Sequence, residues 1–456
     1  MHLTIGQARD HIQAMFEAGV EAADPETAIK NTIHFQSGRL VLNNCQTAYA
    51  QNAQRSDAWN RVHIVAFGKA ACKMAATTAE IIPSFMQASK GMIVTNEENK
   101  QNVDGFIVHA AGHPLPDQRG VTAAKCIEDK VKIIPPGDLI LILISGGGSS
   151  LIPYPVPTIT LDDKIITTQL LLASGAVIDE INCVRKHISQ LKGGHLARLA
   201  HPVDLHALIL SDVIGDDPGT IASGPTVPDS TTFDDAIKVL TTRKIWTQTP
   251  QRVRKHLLSG SKGIIAETPK STDILFNSTG YTLISSNTIS VSAMQGRAEQ
   301  SGFKTDVYST KLCGEARKEA VKLCRYAAQK LSFISVPTAV IAGGETTVTL
   351  TGRGTGGRNQ EFALAFALAA EQMRLEHWVF LSAGTDGRDG PTDAAGAIVD
   401  ADTLCRIRAC GKSPADYLND NDSYHALKLS GNLLMTGSTG TNVADLQIVL
   451  LFPDHA

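Results

Sequence analysis

Short apolar runs alternate with helix-like segments along most of the chain. The apolar runs read VHIVAF, GMIVTN, LILILIS, HALILSD, TLISSN, TAVIAGG and WVFLSAG. The segments between them have helical periodicity, as in GKAACKMAATTAEII, ARKEAVKLCRYAAQKL and NQEFALAFALAAEQM. Continuous apolar runs predict strands that are covered on both faces, and their alternation with helices predicts βαβ units. We therefore expect an α/β protein with a mostly parallel sheet.

The length of the chain predicts more than one domain. A single hydrophobic core rarely supports 456 residues. The polar stretch TRKIWTQTPQRVRKHLLSGSKGIIAETPKSTD lacks strand periodicity and is typical of a connecting region. We place the boundary near residue 245. Residues 1–245 are predicted to form a Rossmann-like domain, and residues 246–456 the connecting region and a second, smaller α/β domain.

Charge and cysteine usage exclude several classes of function. The formal net charge is -3 and no basic block is present, which argues against a nucleic-acid or membrane partner. The cysteines are scattered without a CxxC pair, as expected of free thiols in a reducing compartment. The N-terminal MHLTIGQARDHIQAMFEAGV carries charges among its apolar positions and predicts an amphipathic helix, not a signal peptide. We expect a cytoplasmic enzyme, and a homo-oligomer stays open.

Two strand ends in the first half carry groups suited to anions. Ligands of open α/β sheets bind beyond the carboxyl ends of the strands. Lys69 follows Gly68 at a helix start, where a phosphate or carboxylate is favoured; the alternative is a solvated surface lysine. Gly146 to Gly148 follow LILILIS and can present a nest of backbone N–H groups, with hydroxyls from Ser149 and Ser150. The alternative for this loop is a tight strand-to-helix turn.

Carboxylates follow three other strands. Asp212 comes directly after HALILS, Glu345 after VIAGG, and Asp386 lies in SAGTDGRDG. Carboxylates at such positions commonly hold Mg²⁺ or accept a proton from a substrate hydroxyl. Asp389 and Asp393, further along the same acidic loop, are expected to be solvated turn residues.

The segment TLTGRGTGGRNQEF combines glycines with arginines before a helix. Arg358, beside Gly356 and Gly357, is suited to bind a polyphosphate or a transferring phosphoryl group, because a guanidinium can donate hydrogen bonds to two oxygens at once. A cation at a helix N-terminus without an anion is mildly unfavourable, which argues against a merely exposed arginine. Gly352, Gly354 and Gly357 also match GxGxxG, so a dinucleotide site is an alternative.

Two further segments contribute candidate ligand groups. In INCVRKHISQLKGGHLARLA, Arg185 and Lys192 are seven residues apart and would share a helix face. They could reach a substrate carboxylate or phosphate; a solvated basic face is the alternative. His113 lies in AGHPLPDQRG, where the two prolines favour a rigid turn and only modestly a catalytic histidine.

Taken in order, these motifs resemble those of a known enzyme family. The series GKA, GHPLPDQRG, SGGGSSL, NCVRKHISQLKGGHLA, SDVIGDDPGTIASGPT, GGETTVTLTGRGTGGRNQEFAL, SAGTDGRDGPTDAAGA and TGSTGTNVADL is similar to that of the class II glycerate 2-kinases, which carry a C-terminal MOFRL domain. The resemblance implies ATP- and Mg²⁺-dependent phosphorylation of D-glycerate at its 2-hydroxyl. It also implies an active site in a cleft between the Rossmann-like domain and the smaller MOFRL-type domain.

The resemblance assigns roles to the candidate residues. In the family the lysine of GKA and the arginine of GGRNQE are held important for catalysis, and these correspond to Lys69 and Arg358. We expect both to stabilise the transferring phosphoryl group. Asp212 and Asp386 are expected to hold Mg²⁺, with Glu345 as a further candidate ligand. Which carboxylate acts instead as the base stays open, since that depends on geometry.

The other candidates are expected to bind ligand oxygens. Arg185 and Lys192 would neutralise the glycerate carboxylate or ATP phosphates. Gly146 to Ser150, with Gly356 and Gly357, would hold phosphate oxygens of ATP or of the phosphoglycerate. The alternative function is NAD(P)H-dependent reduction of hydroxypyruvate, since members of this family have been named hydroxypyruvate reductases. It would make the GxGxxG match a nicotinamide site.

Overall fold

The computed structural model describes residues 3–47 and 53–453, and the chain divides into two compact units. The central unit spans Pro25–Ile284. The terminal unit combines Met1–Asp24 with Ser285–Ala456. Across the described residues, every helix is too short or too polar to span a bilayer.

This division differs from the boundary expected near residue 245, and packing gives the reason. Helix α1 (Ile5–Ala22) buries Ile12 and Phe16 in a core with Ile448 of the C-terminal strand, so it belongs to the terminal unit. The polar connecting stretch contains an amphipathic helix at Gln251–Ser261, which packs in a core of the central unit. Such non-local packing leaves no local signal at the boundary itself.

The central unit is a helix-flanked sheet. Its strands are β1 (Ile33–Gln36), β2 (Arg39–Thr47), β3 (Ala53–Asp57), β4 (Val62–Phe67), β5 (Gly91–Thr95), β6 (Phe106–Ala110), β7 (Leu139–Ile144), β8 (Asp204–Leu210) and β9 (Thr279–Ser285). Its helices are α2 (Pro25–Thr32), α3 (Ala71–Ile81), α4 (Gln118–Val131), α5 (Gly148–Leu151), α6 (Leu161–Ala173), α7 (Ile178–His187), α8 (His195–Ala200), α9 (Phe233–Thr242) and α10 (Gln251–Ser261). Short 3₁₀ turns lie at Glu97–Asn99, Ile221–Ser223 and Ile274–Ser278.

The predicted parallel sheet is confirmed in the middle of this unit. The strand order is β1-β2-β9-β8-β7-β4-β5-β6, with β3 paired to β2. Strands β8, β7, β4, β5 and β6 run parallel, whereas β1, β2 and β3 are antiparallel. All of β7 is buried, with Leu141 in one core and Ile142 in the core on the opposite face. This two-sided burial explains the uninterrupted apolar run LILILI.

The strand order reverses at β4. The chain runs from β4 outward to β5 and β6, then returns to add β7 and β8 on the other side of β4. The connections after β4 and β7 therefore leave the sheet as neighbours, which creates a crevice at the carboxyl edge.

The terminal unit is the predicted second α/β domain, built on a mixed sheet. After α1 it contains α11 (Asn287–Gln300), β10 (Lys304–Glu315), α12 (Ala316–Leu331), β11 (Thr338–Thr347), α13 (Arg358–Gln372), β12 (Trp378–Gly384), β13 (Gly396–Asp400), α14 (Thr403–Ala409), α15 (Pro414–Asn419), α16 (Ser423–Leu429), β14 (Leu433–Leu434) and β15 (Asp445–Leu451). The strand order is β10-β11-β15-β12-β13-β14; β10 and β11 are parallel and the other pairs antiparallel. Helix α13 packs through Phe362 and Phe366 onto Phe380 of β12.

Candidate functional site

The loops that follow β4 and β7 are hydrogen-bonded to each other. The N–H of Lys69 donates to the carbonyl of Gly146 at 2.9 Å, and the N–H of Ala70 donates to Oγ of Ser145 at 3.0 Å. Gly68 has a φ of +130°, and a Cβ there would lie 2.1 Å from Ser145 Oγ. Only glycine permits this approach. The GKA and SGGGSS segments therefore form one structure at the strand-order reversal.

Three side chains surround the backbone of the glycine loop. A Cβ on Gly146 would lie 2.3 Å from Oδ2 of Asp212. A Cβ on Gly147, whose φ is +84°, would lie 3.0 Å from the His113 ring and 3.4 Å from Cγ of Lys69. Burial and the nearby ammonium of Lys69 lower the pKa of His113, so its ring is neutral at pH 7. The absence of side chains on these glycines thus leaves room for the carboxylate of Asp212, the imidazole of His113 and the side chain of Lys69.

Part of the glycine loop's hydrogen-bonding capacity is used within the loop. The N–H of Gly148 donates to the carbonyl of Ser145, and both the N–H and Oγ of Ser150 donate to the carbonyl of Gly147. These bonds form the short helix α5, so the strand-to-helix turn weighed as an alternative is present. Phosphate binding by Gly146 to Ser150 stays a prediction.

Arg185 and Lys192 meet at Ser149. Lys192 Nζ donates to Ser149 Oγ at 2.8 Å and to the Ser149 carbonyl at 2.9 Å, and Arg185 Nη2 also donates to Ser149 Oγ. The prediction that Arg185 and Lys192 share a helix face was wrong, because α7 ends at His187 and Lys192 lies in the following turn. The alternative of a solvated basic face was also wrong, since Lys192 is fully buried.

Sequence reasoning missed the polar residues behind Ser149. Its Oγ lies 3.1 Å from Oγ of Ser223, which in turn donates to Oδ1 of Asn182 at 2.9 Å. Because Ser149 Oγ already accepts from the two cations, it donates to Ser223. The hydroxyl is therefore fixed in one orientation.

Lys164 on α6 is a second residue that sequence reasoning missed. Its side chain is buried on the same helix face as Thr167 and Leu171. Burial and the charge of Arg185 lower the pKa of Lys164 to about 7. Apolar residues stand on several faces of LDDKIITTQLLLA, so the pattern does not mark Lys164 as buried.

In the terminal unit, Arg358 starts α13 and is paired with carboxylates of the protein. Its Nε and Nη2 donate to the two carboxylate oxygens of Asp445 at 2.6 and 3.0 Å, and Nη1 lies 2.9 Å from Oε1 of Glu345. Burial opposes the charge of Arg358, but the bonds to Asp445 and the field of Glu345 outweigh it and raise the pKa. Asn359 Nδ2 also donates to Asp445. Asp445 was missed; its signal is a carboxylate that opens the apolar run LQIVLL.

Asp389 is a capping residue and not the solvated turn residue that we expected. Only 2% of it is exposed. Its oxygens accept from the N–H groups of Asn359 at 3.1 Å and Gln360 at 2.8 Å. Burial raises the pKa of Asp389 to about 7, although the two hydrogen bonds act to lower it. Gly357 packs on the same carboxyl group, so the N-terminus of α13 is already capped by a side chain of the protein. Asp393 is exposed, as expected.

The glycines of TGRGTGG accommodate a neighbouring segment of the protein. A Cβ on three of them would approach residues 420–423: Gly352 at 2.2 Å from Asp420, Gly354 at 2.3 Å from Asp422, and Gly356 at 2.3 Å from Ser423; a Cβ on the fourth, Gly357, would lie 2.2 Å from Asp389. The N–H groups of Arg353 and Gly354 donate to Asp420. Close approach to the protein itself explains the GxGxxG spacing, so the spacing no longer argues for a nicotinamide site.

The three carboxylates expected to bind metal belong to different units. Asp212 is in the central unit, whereas Glu345 and Asp386 are in the terminal unit. Asp386 Oδ1 accepts from the N–H of Arg388 at 3.0 Å. Within residues 3–47 and 53–453, no group of three or more His, Cys, Asp or Glu could hold a metal ion. Mg²⁺ commonly binds one or two carboxylates together with substrate phosphates, and the exposed Asp212 fits such a mixed site.

Comparison with known proteins gives matches to both halves of the chain. Residues 11–258 match a family model described as a domain of unknown function (DUF4147), and residues 338–445 match the MOFRL family. The chain is 42% identical to a D-glycerate 2-kinase of Thermotoga maritima over 95% of each protein. It is 38% identical to an Agrobacterium vitis protein named as a hydroxypyruvate reductase, over 97% of this chain and 94% of the relative.

A solved structure is similar over nearly the whole length. The crystal structure of a glycerate kinase from Thermotoga maritima aligns with a TM-score of 0.84 and 38% sequence identity. The alignment covers 98% of this chain and 100% of that one.

Proposed function

Because the chain belongs to the glycerate kinase family that combines the DUF4147 and MOFRL domains, we propose that it transfers the γ-phosphoryl group of ATP to the 2-hydroxyl of D-glycerate, giving 2-phospho-D-glycerate and ADP. The family predicted from the motif series is confirmed. The observation that carries the chemistry is the contact of Lys69, His113 and Asp212 with one glycine loop at the reversal of strand order.

Phosphoryl transfer depends on positioning and charge neutralisation more than on covalent chemistry. We assign this role to Lys69 and Arg358. Lys69 is exposed and long, so its ammonium can follow a moving phosphoryl group. Arg358 is held by Asp445 and keeps about a third of its side chain, 34%, exposed. A fixed guanidinium loses little side-chain entropy when it binds an oxygen.

Asp212 is the proposed principal ligand for Mg²⁺, with Asp386 and Glu345 as the further candidates. When bound, Mg²⁺ would neutralise phosphate oxygens. A base must also accept the proton of the glycerate 2-hydroxyl. Asp212 and the neutral ring of His113 are the two candidates beside the glycine loop, because carboxylates and neutral imidazoles are the usual proton acceptors of enzymes.

The remaining assignments concern ligand oxygens. Gly146 to Ser150, Gly356 and Gly357 are proposed to hold phosphate oxygens, of ATP or of the phosphoglycerate. Arg185 and Lys192 are proposed to neutralise an anionic group of a substrate, because both reach the Ser149 hydroxyl. Action in the cytoplasm remains part of the proposal, and a homo-oligomer stays open.

Identification of the product by ³¹P and ¹H NMR tests the function. The purified protein is incubated with D-glycerate, ATP and Mg²⁺, and we expect 2-phospho-D-glycerate. A 3-phosphoglycerate product would overturn the position of transfer and leave the kinase class standing. Oxidation of NADH by hydroxypyruvate, with no ADP formed from glycerate and ATP, would overturn the kinase assignment in favour of a reductase.

A further inference from the structure

Three basic side chains of the central unit, Lys164, Arg185 and Lys192, influence one another's charge, and two of them bond the same hydroxyl. Lys192 and Arg185 both donate to Oγ of Ser149. Burial and the charge of Arg185 lower the pKa of Lys164, and burial with the charges of Arg185 and Lys164 lowers the pKa of Lys192. The three cations therefore lie close enough to repel one another.

The inner part of this cluster is enclosed and incompletely bonded. Lys164 is 4% exposed and Lys192 is 0% exposed. Among the described residues, Lys164 Nζ and Arg185 Nε have no hydrogen-bond partner. With a pKa of about 7, Lys164 gives up its proton readily near neutral pH, because a buried ammonium without acceptors is costly. An added anion would supply the missing acceptors and favour the protonated form of Lys164.

The carboxylates nearest in sequence are committed elsewhere. Asp163 accepts from the N-terminal residues of its own helix α6. Glu180, on α7, is paired with Arg243, and Asp229 is paired with Lys186. Within residues 3–47 and 53–453, none of Lys164, Arg185 and Lys192 forms an ion pair with a carboxylate. Buried like charges without a counter-charge are strongly unfavourable, and an external anion would relieve them.

We propose that Lys164, Arg185 and Lys192 form a buried oxyanion site that takes a single carboxylate or phosphate group of a small molecule, with Ser149 as a positioning residue. Access is open on one side, since Arg185 and Ser149 each keep part of their surface exposed. One anionic group, bonded to ammonium and guanidinium donors, would satisfy the orphaned hydrogens through charge-assisted bonds. The assignment of this anionic group to the substrate or the product rests on the proposed function. The existence of the anion site does not depend on that function.

Ligand-induced thermal shifts of the full-length protein test the site. The ligands are D-glycerate, inorganic phosphate and, as a neutral analogue, glycerol. We expect at least one of the two anions to raise the melting temperature of the wild type, and glycerol to have no effect. Lys164→Met should weaken that anion's affinity by about tenfold or more, the loss of one charge-assisted bond. Lys164→Arg should retain binding.

The control is Lys255→Met, which makes the same substitution on the exposed surface of α10 and should bind as the wild type does. Without ligand, Lys164→Met should melt at or above the wild-type temperature, because a repulsive buried charge is gone; a purely structural lysine would give a lower one. If Lys164→Met does not fold, the half-buried Arg185→Gln replaces it, with the same expected loss. Wild-type affinity in these variants, or no shift of the wild type with either anion, would overturn the proposal.

The two anions identify the group that binds. A Lys164-dependent shift with glycerate alone assigns a carboxylate, and one with phosphate alone assigns a phosphoryl group. Failure of the site is distinguishable from failure of the function. If anion binding depends on Lys164 but no phosphoglycerate is formed, the site stands and the kinase assignment falls. If phosphoglycerate is formed and Lys164→Met keeps both the wild-type KM for glycerate and the anion shifts, the function stands and the site falls.

Discussion

Arg358 and Asp445 are joined by two parallel hydrogen bonds, Nε to Oδ2 at 2.6 Å and Nη2 to Oδ1 at 3.0 Å. Asp445 is fully buried at the start of β15. The arginine proposed to act in phosphoryl transfer thus also neutralises a buried carboxylate. Loss of activity in an Arg358 variant therefore has two sources, which a single substitution does not separate.

A double-mutant cycle separates them. We expect Arg358→Ala to lower kcat by on the order of a hundred-fold or more, through loss of charge at the transferring group. It should also destabilise the fold by about 3 kcal/mol, because Asp445 is left buried without a counter-charge. Adding Asp445→Asn should restore much of the stability, measured by urea unfolding, without restoring kcat. If the double variant regains activity as well, Arg358 acts only through the fold.

Lys69 differs from Arg358 because its side chain is exposed, so its substitution is expected to affect activity without affecting stability. We expect Lys69→Ala to lower kcat/KM by on the order of a hundred-fold. Its melting temperature should stay close to that of the wild type, because exposed charges contribute little to stability. Lys69→Arg should recover part of the activity. The control is Lys262→Ala, a similarly exposed lysine. Equal activity of Lys69→Ala and Lys262→Ala would remove Lys69 from the site.

The substitution Gly146→Ala tests whether Asp212 binds Mg²⁺. A Cβ at Gly146 would lie 2.3 Å from Asp212 Oδ2, and the exposed carboxylate can move away without disturbing the core. We expect Gly146→Ala to fold normally and to need a higher Mg²⁺ concentration for half-maximal activity. The control is Gly296→Ala in α11, where nothing lies within 4 Å of the added methyl group. An unchanged Mg²⁺ dependence in Gly146→Ala would argue against Asp212 as the ligand.

The fold was predictable where burial is continuous along the chain. Strands β4, β7 and β8 are enclosed on both faces, so they appear as mainly apolar runs, and β7 is apolar at every position. Strand β3, AQRSD, is mostly polar and carries no such pattern. The membership of α1 in the terminal unit was also hidden, because its partner Ile448 is far away in sequence.

The site was predictable where a ligand group follows a strand directly. Lys69 and Gly146 follow neighbouring strands, and the structure brings them into contact. Lys164, Asp389 and Asp445 were missed or misjudged because their roles depend on tertiary neighbours. A buried lysine in a helix and a buried carboxylate in a loop look like solvated charges until their surroundings are known.

His187 has a hydrogen-bond acceptor at each ring nitrogen. Nδ1 lies 2.7 Å from the carbonyl of Cys183, and Nε2 lies 2.9 Å from Oε1 of Glu267. Both nitrogens must therefore carry a proton, which makes the ring a cation. Burial opposes this charge, but the bonds to Cys183 and Glu267 outweigh it and raise the pKa of His187 from 6.5 to about 9.

This raised pKa predicts a loss of stability in mild alkali. Between pH 6.5 and about 9 the native protein binds a proton that the unfolded chain has released, so the stabilisation is complete below 6.5 and lost as pH rises through about 9. We expect urea unfolding of the wild type to show this decline and His187→Gln to show a flatter profile in the same window. His195→Gln is the matched control, because burial lowers the pKa of His195 to about 4 and its titration is complete below that window. A decline of equal slope in His187→Gln and His195→Gln would show that His187 is not charged in the folded protein.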